Sequence, residues 1–430
     1  MAAPGGGPAR QQRGWSWTGW LALALVALAA GGCVSSQARY AAPVEGMAQP
    51  GGQGPWPLPA VAPGELASLQ PGQRPALATD EAGIWMVMDR TEEEYKEAGN
   101  RITDPELAAY LQEVVCRLTP EYCADIRVYA LRVPYFNATM APNGALVVWS
   151  GLLLRVHNEA QLASVLGHEI GHYLRRHALE RMRDVVNTTN VLAFVRLAAA
   201  AAGVGVAGDL ATLAAAGGLS AYSRDQEREA DGYGLALMAR AGYDPRQAAA
   251  LWRQVIAEKD AGEDKTFSLM LFDSHPPSEE RLAALDELAG RLVAGGREGS
   301  LEQERYQAIL APHWLDLLQD ELHLRQFGRT EVLLSSLAQA GTDPGRLRFG
   351  AGELHRLRNQ AGDRALALAA YTEAIAAPTH PAEAHRAQAL LLRERGEAAQ
   401  AREAFHSYLA ERPAAPDREM ILHMLTQETP

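Results

Sequence analysis

The chain has 430 residues, 47% of them hydrophobic, and a formal charge of −12. That length implies two domains or more. An acidic balance without a basic stripe excludes nucleic acid as a partner.

Residues 1–20 carry only Arg10 and Arg13 as charges, and Leu21–Ala30 is a short apolar run. Residues 1–32 therefore read as a secretory signal peptide with a long n-region. The run ends in Ala30-Gly-Gly-Cys33, which resembles a lipobox with Ala30 where leucine is usual. Lipidation at Cys33 is the expectation. Cleavage after Ala27-Leu-Ala29 would instead release a soluble chain. Trp15–Gly32 makes a poor uncleaved anchor, because glycine, serine and threonine interrupt it. Val34 follows the cysteine, and resemblance to bacterial lipoproteins then implies a periplasmic location on the outer membrane. Residues 33–78 are rich in Pro, Gly, Ala and Gln and read as a flexible tether.

The folded part is expected to begin at residue 79. Residues 80–118 look helical, with Asp104-Pro105 opening a helix that runs through Leu107, Tyr110, Leu111, Val114 and Val115. Cys116 and Cys123 can form a short-loop disulfide in an oxidising compartment; the other reading is two small buried residues. Arg127–Val133 and Ala145–Trp149 have the alternation and β-branching of strands. An extended peptide could add to the edge of such a sheet through main-chain hydrogen bonds.

Residues 168–172 read His-Glu-Ile-Gly-His, after an apolar run from Gln161 at helical spacing. On a helix the two histidines lie ~40° apart and one turn from each other, close enough to hold one Zn²⁺. Glu169 can reach a water on the same ion and take its proton. A catalytic zinc needs a third protein ligand. His177, nine residues after His168, stands ~180° round the helix and faces away from the metal. The better source is Ser223-Arg-Asp-Gln-Glu-Arg-Glu-Ala-Asp231. There Glu227 could bind the metal while Asp231, four residues on, accepts from the outer nitrogen of a ligand histidine. Glu229 is the alternative ligand, but it points ~160° away from Asp231. Between these motifs, residues 185–221 are rich in Ala, Gly, Val and Leu, but their longest uncharged run is the twelve residues Leu197–Gly208. That is too short to span a bilayer, so a helical hairpin over the site is expected.

Taken in order, these pieces resemble the zinc metallopeptidases related to HtpX and the CAAX prenyl endopeptidase, a gluzincin family. The resemblance rests on Asn137-Ala138, Pro142-Asn-Gly144, Gly151-Leu-Leu, His168-Glu-Ile-Gly-His172, Ser223 through Asp231 to Gly234, and Ser274-His275-Pro276 with Arg281. It implies an α+β, zincin-like catalytic domain over 79–295, mainly α with a small β-sheet. It implies one Zn²⁺ per chain on His168, His172 and Glu227, with Glu169 and Asp231 in catalysis and substrate binding at Asn137 and Ala138. It also implies that His275 and Arg281 reach the site from a later loop as catalytic residues that stabilise the oxyanion. In relatives the matching histidine acts as a removable ligand that silences the enzyme.

Residues 300–425 read as an all-α domain. An offset of 34 aligns Gly362 with Gly396, Ala367 with Ala401, Ala370 with Ala404, and Tyr371 with Phe405. That is the tetratricopeptide period, clearest over 347–413. A peptidase core followed by such repeats resembles the periplasmic beta-barrel assembly-enhancing proteases. The expected function is a zinc endopeptidase of the bacterial envelope. Unfolded or misassembled membrane proteins would be its substrates, and outer-membrane assembly machinery would dock on its repeats. The competing reading is a chaperone-like adaptor with a silent metal site. The repeats are expected to serve recruitment, leaving the peptidase core able to fold without them.

Overall fold

The computed structural model describes residues 68–188, 222–263, 275, 278–294 and 299–427, and element labels run over these in chain order. The expected signal peptide, Cys33, residues 33–67 of the tether and most of 185–221 lie outside the described residues, whereas 68–78 are described and Leu69 is buried. Among the described residues no helix is long and apolar enough to cross a membrane.

Helix α1 (Asp80–Glu97) is capped by Thr79, whose hydroxyl accepts from the Ala82 N–H. Helix α2 (Pro105–Leu118) is capped by Asp104 and has Pro105 in its first turn. Its buried residues are Leu107, Tyr110, Leu111, Val114, Val115 and Leu118, one continuous stripe at helical period. A 3₁₀ turn at Pro120–Tyr122 brings the chain back, and Cys123 is disulfide-bonded to Cys116 with Cα atoms 4.6 Å apart.

Three strands form one sheet in the order β1-β3-β2: β1 (Arg127–Leu131), β2 (Ala138–Met140) and β3 (Ala145–Trp149). β1 runs parallel to β3 and β2 antiparallel to it, with Ala138 opposite Val148 and Met140 opposite Leu146. The sequence predicts β1 and β3 but not β2, because three residues are too few to display alternation. β2 is an edge strand, and its Met140 N–H donates to the Glu169 carboxylate.

Helix α3 (Ser150–Arg155) leads into α4 (Glu159–Leu174), which is buried along its whole length. A short break separates α4 from α5 (His177–Thr188). Helix α6 (Arg224–Arg240) packs against α4 at very close range. A Cβ on Gly171 would sit 2.9 Å from the Ala230 carbonyl oxygen, and one on Gly234 would sit 2.9 Å from the His168 nitrogen. Glycine at these two positions lets the backbones approach, which brings short carboxylate side chains of α6 within reach of α4.

The remaining helices are α7 (Arg246–Ala261), α8 (Glu279–Val293), α9 (Gln303–Leu310), α10 (Trp314–His323), α11 (Phe327–Gln339), α12 (Pro344–Arg358), α13 (Asp363–Ile375), α14 (Glu383–Glu394), α15 (Ala398–Glu411) and α16 (Arg418–Gln427). A single hydrophobic cluster extends from Leu69 through Leu237, Tyr306, Leu318 and Phe349 to Leu391, so the core does not stop at residue 295. Fully buried Arg155 on α3 pairs with Glu258 of α7 at 2.7 Å and Glu321 of α10 at 2.8 Å. Arg329 of α11 shares Glu321 at 2.8 Å. A smaller cluster of Ala389, Phe405, Tyr408, Ile421 and Leu425 closes the C-terminal end. Gly362 and Gly396, 34 residues apart, both adopt positive φ, +90° and +81°, ahead of α13 and α15. Ala367 and Ala401 are both fully buried, as are Tyr371 and Phe405.

Candidate active site

Helix α4 carries His168, Glu169 and His172 into the core, where ionisable groups need partners. The i, i+4 spacing turns both imidazoles to one side, and His172 Nε2 lies 3.1 Å from His168 Nε2. Helix α6 begins with a capping box: Ser223 accepts from the Gln226 N–H while the Gln226 side chain accepts from the Ser223 N–H. That cap sets the helix phase so that Glu227, in the first turn, points at α4. Glu227 Oε2 lies 3.6 Å from His168 Nε2, and its Oε1 lies 3.5 Å from His172 Nε2.

The outer ring nitrogens are each assigned. His168 Nδ1 donates to Asp231 at 2.9 Å, and Arg281 clamps the same carboxylate through Nε at 2.7 Å and Nη2 at 2.8 Å. Arg281 Nη1 also lies 2.5 Å from Glu227 Oε2, and its guanidinium covers the Trp252 ring. Arg281 is thus engaged by the two carboxylates it holds in place. The resemblance to relatives places it as an oxyanion donor; the geometry makes it and Asp231 positioning residues.

His172 Nδ1 meets His177 Nδ1 at 2.8 Å, and His177 Nε2 reaches Glu229 at 3.0 Å. Glu229 also pairs with Arg175. The sequence expectation that His177 faces away is therefore wrong. It assumed a continuous helix, whereas Arg176 takes a left-handed conformation, φ +59°, and restarts the chain in a new direction at α5. Tyr222 was not expected either. It stacks on His172 with ring centroids 3.9 Å apart, and burial pushes its hydroxyl up to about 12. Its position immediately before the Ser223 cap was the one available signal.

His275 enters the same cluster. Its Nδ1 lies 2.7 Å from Glu227 Oε1 and 3.1 Å from His168 Nε2, and its Nε2 lies 3.5 Å from Glu169 Oε1. Asn137 and Ala138, expected to bind substrate, are both buried where β2 begins, and Asn137 Oδ1 has no hydrogen-bond partner.

Burial raises the Glu169 carboxyl above the usual range, against the pull of His275 and His168. Burial acts the same way on Glu227, but the neighbouring His172, His275 and His168 more than reverse it and bring the group below its ordinary value. Asp231 is likewise raised by burial and then brought below its ordinary value by Arg281 and His168.

The donor set fits a zinc ion. With Zn–N distances of ~2.05 Å, a tetrahedron has ligand–ligand edges of about 3.4 Å. The observed separations among His168 Nε2, His172 Nε2 and Glu227 run from 3.1 to 3.6 Å. Each histidine uses its Nδ1 proton elsewhere, so two lone pairs and a carboxylate converge in a buried space. Such a set calls for a cation. Buried Glu169 Oε1 has no hydrogen-bond partner beside it.

Residues 102–289 match Peptidase family M48. The chain is 32% identical over 209 residues, 47% of its length, to the mitochondrial metalloendopeptidase OMA1 of Schizosaccharomyces pombe, of which 59% is covered. It is 32% identical over 191 residues, 42% of its length, to the beta-barrel assembly-enhancing protease of Yersinia pestis, of which 39% is covered. It is 32% identical over 149 residues, 34% of its length, to the metalloprotease YcaL of Escherichia coli, of which 55% is covered. The chain thus spans between about two fifths and three fifths of the length of these relatives.

Proposed function

Since residues 102–289 match peptidase family M48, we propose that this chain is a zinc-dependent endopeptidase of the bacterial envelope that degrades misfolded or misassembled outer-membrane proteins. The observation that carries the catalytic part is the buried group His168, His172 and Glu227 with Glu169 beside it. A silent adaptor site would have no use for a buried carboxylate oxygen, Glu169 Oε1, without a hydrogen-bond partner at that position.

His168, His172 and Glu227 would hold Zn²⁺, which supplies a Lewis acid that acidifies water and polarises a peptide carbonyl. Glu169 accepts the proton of the attacking water at Oε1 and passes it to the leaving amine. Burial raises its affinity for the proton. Asp231 and Arg281 fix the His168 ring, and His177 with Glu229 fixes the His172 ring. An extended substrate would pair with the free edge of β2, beginning at Asn137 and Ala138, beside Glu169. His275 stands among the ligands at rest and would leave when substrate enters.

The substrate class rests on similarity to the beta-barrel assembly-enhancing protease of Yersinia pestis and on the expected secretory segment with its lipid anchor at Cys33. The paired helices after residue 340 support the recruitment reading, since positive-φ glycines and buried small residues recur 34 apart. Assembly machinery of outer-membrane proteins is the proposed partner. Mass spectrometry of the mature chain should find a diacylglyceryl adduct on Cys33; an unmodified chain starting at Ala30 would remove the anchor from the proposal. The catalytic reading is tested by zinc analysis and casein cleavage for wild type and Glu169→Gln. The variant should keep about one zinc at the active site yet lose ~10²–10⁴-fold in cleavage. Near-normal cleavage by the variant would show that the activity arises elsewhere.

A further inference from the structure

His380, His385 and Glu411 bring three ligand-type atoms together in the C-terminal helices, far in sequence from every residue of the active site. His380 lies in the connection after α13, His385 in the first turn of α14, and Glu411 at the end of α15. His385 Nε2 is 3.2 Å and His380 Nε2 3.4 Å from the same Glu411 Oε1. Both separations exceed the ~2.7–2.9 Å of a charge-assisted N–H···O⁻ bond. They lie instead close to the ~3.4 Å ligand–ligand edge of a tetrahedral zinc site.

The proton inventory points the same way. His380 Nδ1 contacts the Ala377 carbonyl oxygen at 3.4 Å. A carbonyl only accepts, so Nδ1 carries a proton, and the neutral ring then presents its Nε2 lone pair. That Nε2 is buried and has no hydrogen-bond partner. A lone pair aimed at a carboxylate oxygen is unfavourable unless a cation lies between them. A backbone carbonyl on the outer nitrogen is also the usual support of a metal-ligating histidine. The two rings stand nearly edge to face, 5.3 Å apart at 71°, which lets both nitrogens converge. Neighbouring Arg386 and Arg412 are neutralised by Asp417 and Glu383.

We propose that His380, His385 and Glu411 form a second transition-metal site for Zn²⁺ or a similar divalent cation. Water completes the coordination, since the Glu411 side chain is 40% exposed. The ion would tie the α13–α14 connection to the end of α15 and brace the small cluster around Phe405 and Tyr408. It takes no part in peptide cleavage.

The test uses the full chain, stripped with a chelator and titrated with Zn²⁺ by calorimetry. Wild type should bind two equivalents. His380→Ala/His385→Ala should bind one, and His168→Ala/His172→Ala should bind one through the C-terminal site. Glu411→Gln, which keeps the shape, should weaken one equivalent by about tenfold or more. Circular dichroism establishes that each variant is folded. If folded His380→Ala/His385→Ala or Glu411→Gln chains bind zinc as wild type does, the second site is overturned. Failure of the catalytic reading would appear separately, as an equivalent insensitive to His168 and His172.

Discussion

His172 and His177 meet through their Nδ1 atoms at 2.8 Å across the break between α4 and α5. One must donate. If His172 Nε2 faces the metal, its Nδ1–H donates to His177, whose Nε2–H then donates to Glu229. A carboxylate thus fixes the tautomer of a ligand through an intervening imidazole. His177→Ala should lower zinc affinity at the active site by roughly 10–100-fold, measured by competition with a chelator. Unchanged affinity would reduce the contact to packing.

Glu227 and Glu229 are two residues apart but differ in consequence. Glu227→Gln removes a ligand and should cause the larger loss of active-site zinc. Glu229→Gln weakens only the His177 support and should cause a smaller one. Equal losses in metal analysis would contradict the assignment.

His275 stands among the ligands, 3.1 Å from His168 and 2.7 Å from Glu227. If it caps the site at rest, His275→Ala should raise the rate of casein cleavage. A complete loss of activity in that assay would instead assign His275 to the reaction itself.

Arg155 joins the catalytic segment to helices beyond residue 300 through Glu321. Arg155→Met leaves Glu258 and Glu321 buried without their shared cation and should destabilise the chain by about 3–5 kcal/mol, read from denaturant melts. For the same reason a chain ending at residue 300 should not fold into a zinc-binding peptidase. Normal zinc content in that truncation would show that the buried network is dispensable.

Glu92 is buried against Arg127 at 2.5 Å and accepts from the Tyr129 hydroxyl at 2.7 Å. Burial raises its carboxyl, but Arg127 and Tyr129 outweigh this and bring it down to about 2 from 4.5. Its folded value is depressed, so its contribution is fully present above about 4.5 and is lost as pH falls through about 2. Arg127 is partly exposed, which limits that contribution to roughly 1–2 kcal/mol. The stability gap between wild type and Glu92→Gln should be largest near neutral pH and shrink across that window. A pH-independent gap would mean that packing, not charge, accounts for the difference.

The sequence by itself determined the features that local geometry dictates. Helical period placed His168 and His172 on one side of α4, and four-residue spacing put Glu227 and Asp231 on a common face of α6. The caps at Asp104 and Ser223 lie at the helix starts, because capping depends on neighbouring residues alone. Tertiary structure decided the rest. A single left-handed residue, Arg176, turned His177 from the far side of an imagined helix into the partner of His172. β2 exists because β3 lies beside it, not because three residues prefer a strand. Glu258 and Glu321 reach Arg155 from 103 and 166 residues away. His380 and His385 meet Glu411 only because α14 and α15 pack together. Such contacts depend on how distant elements pack, and no local period in the chain encodes that.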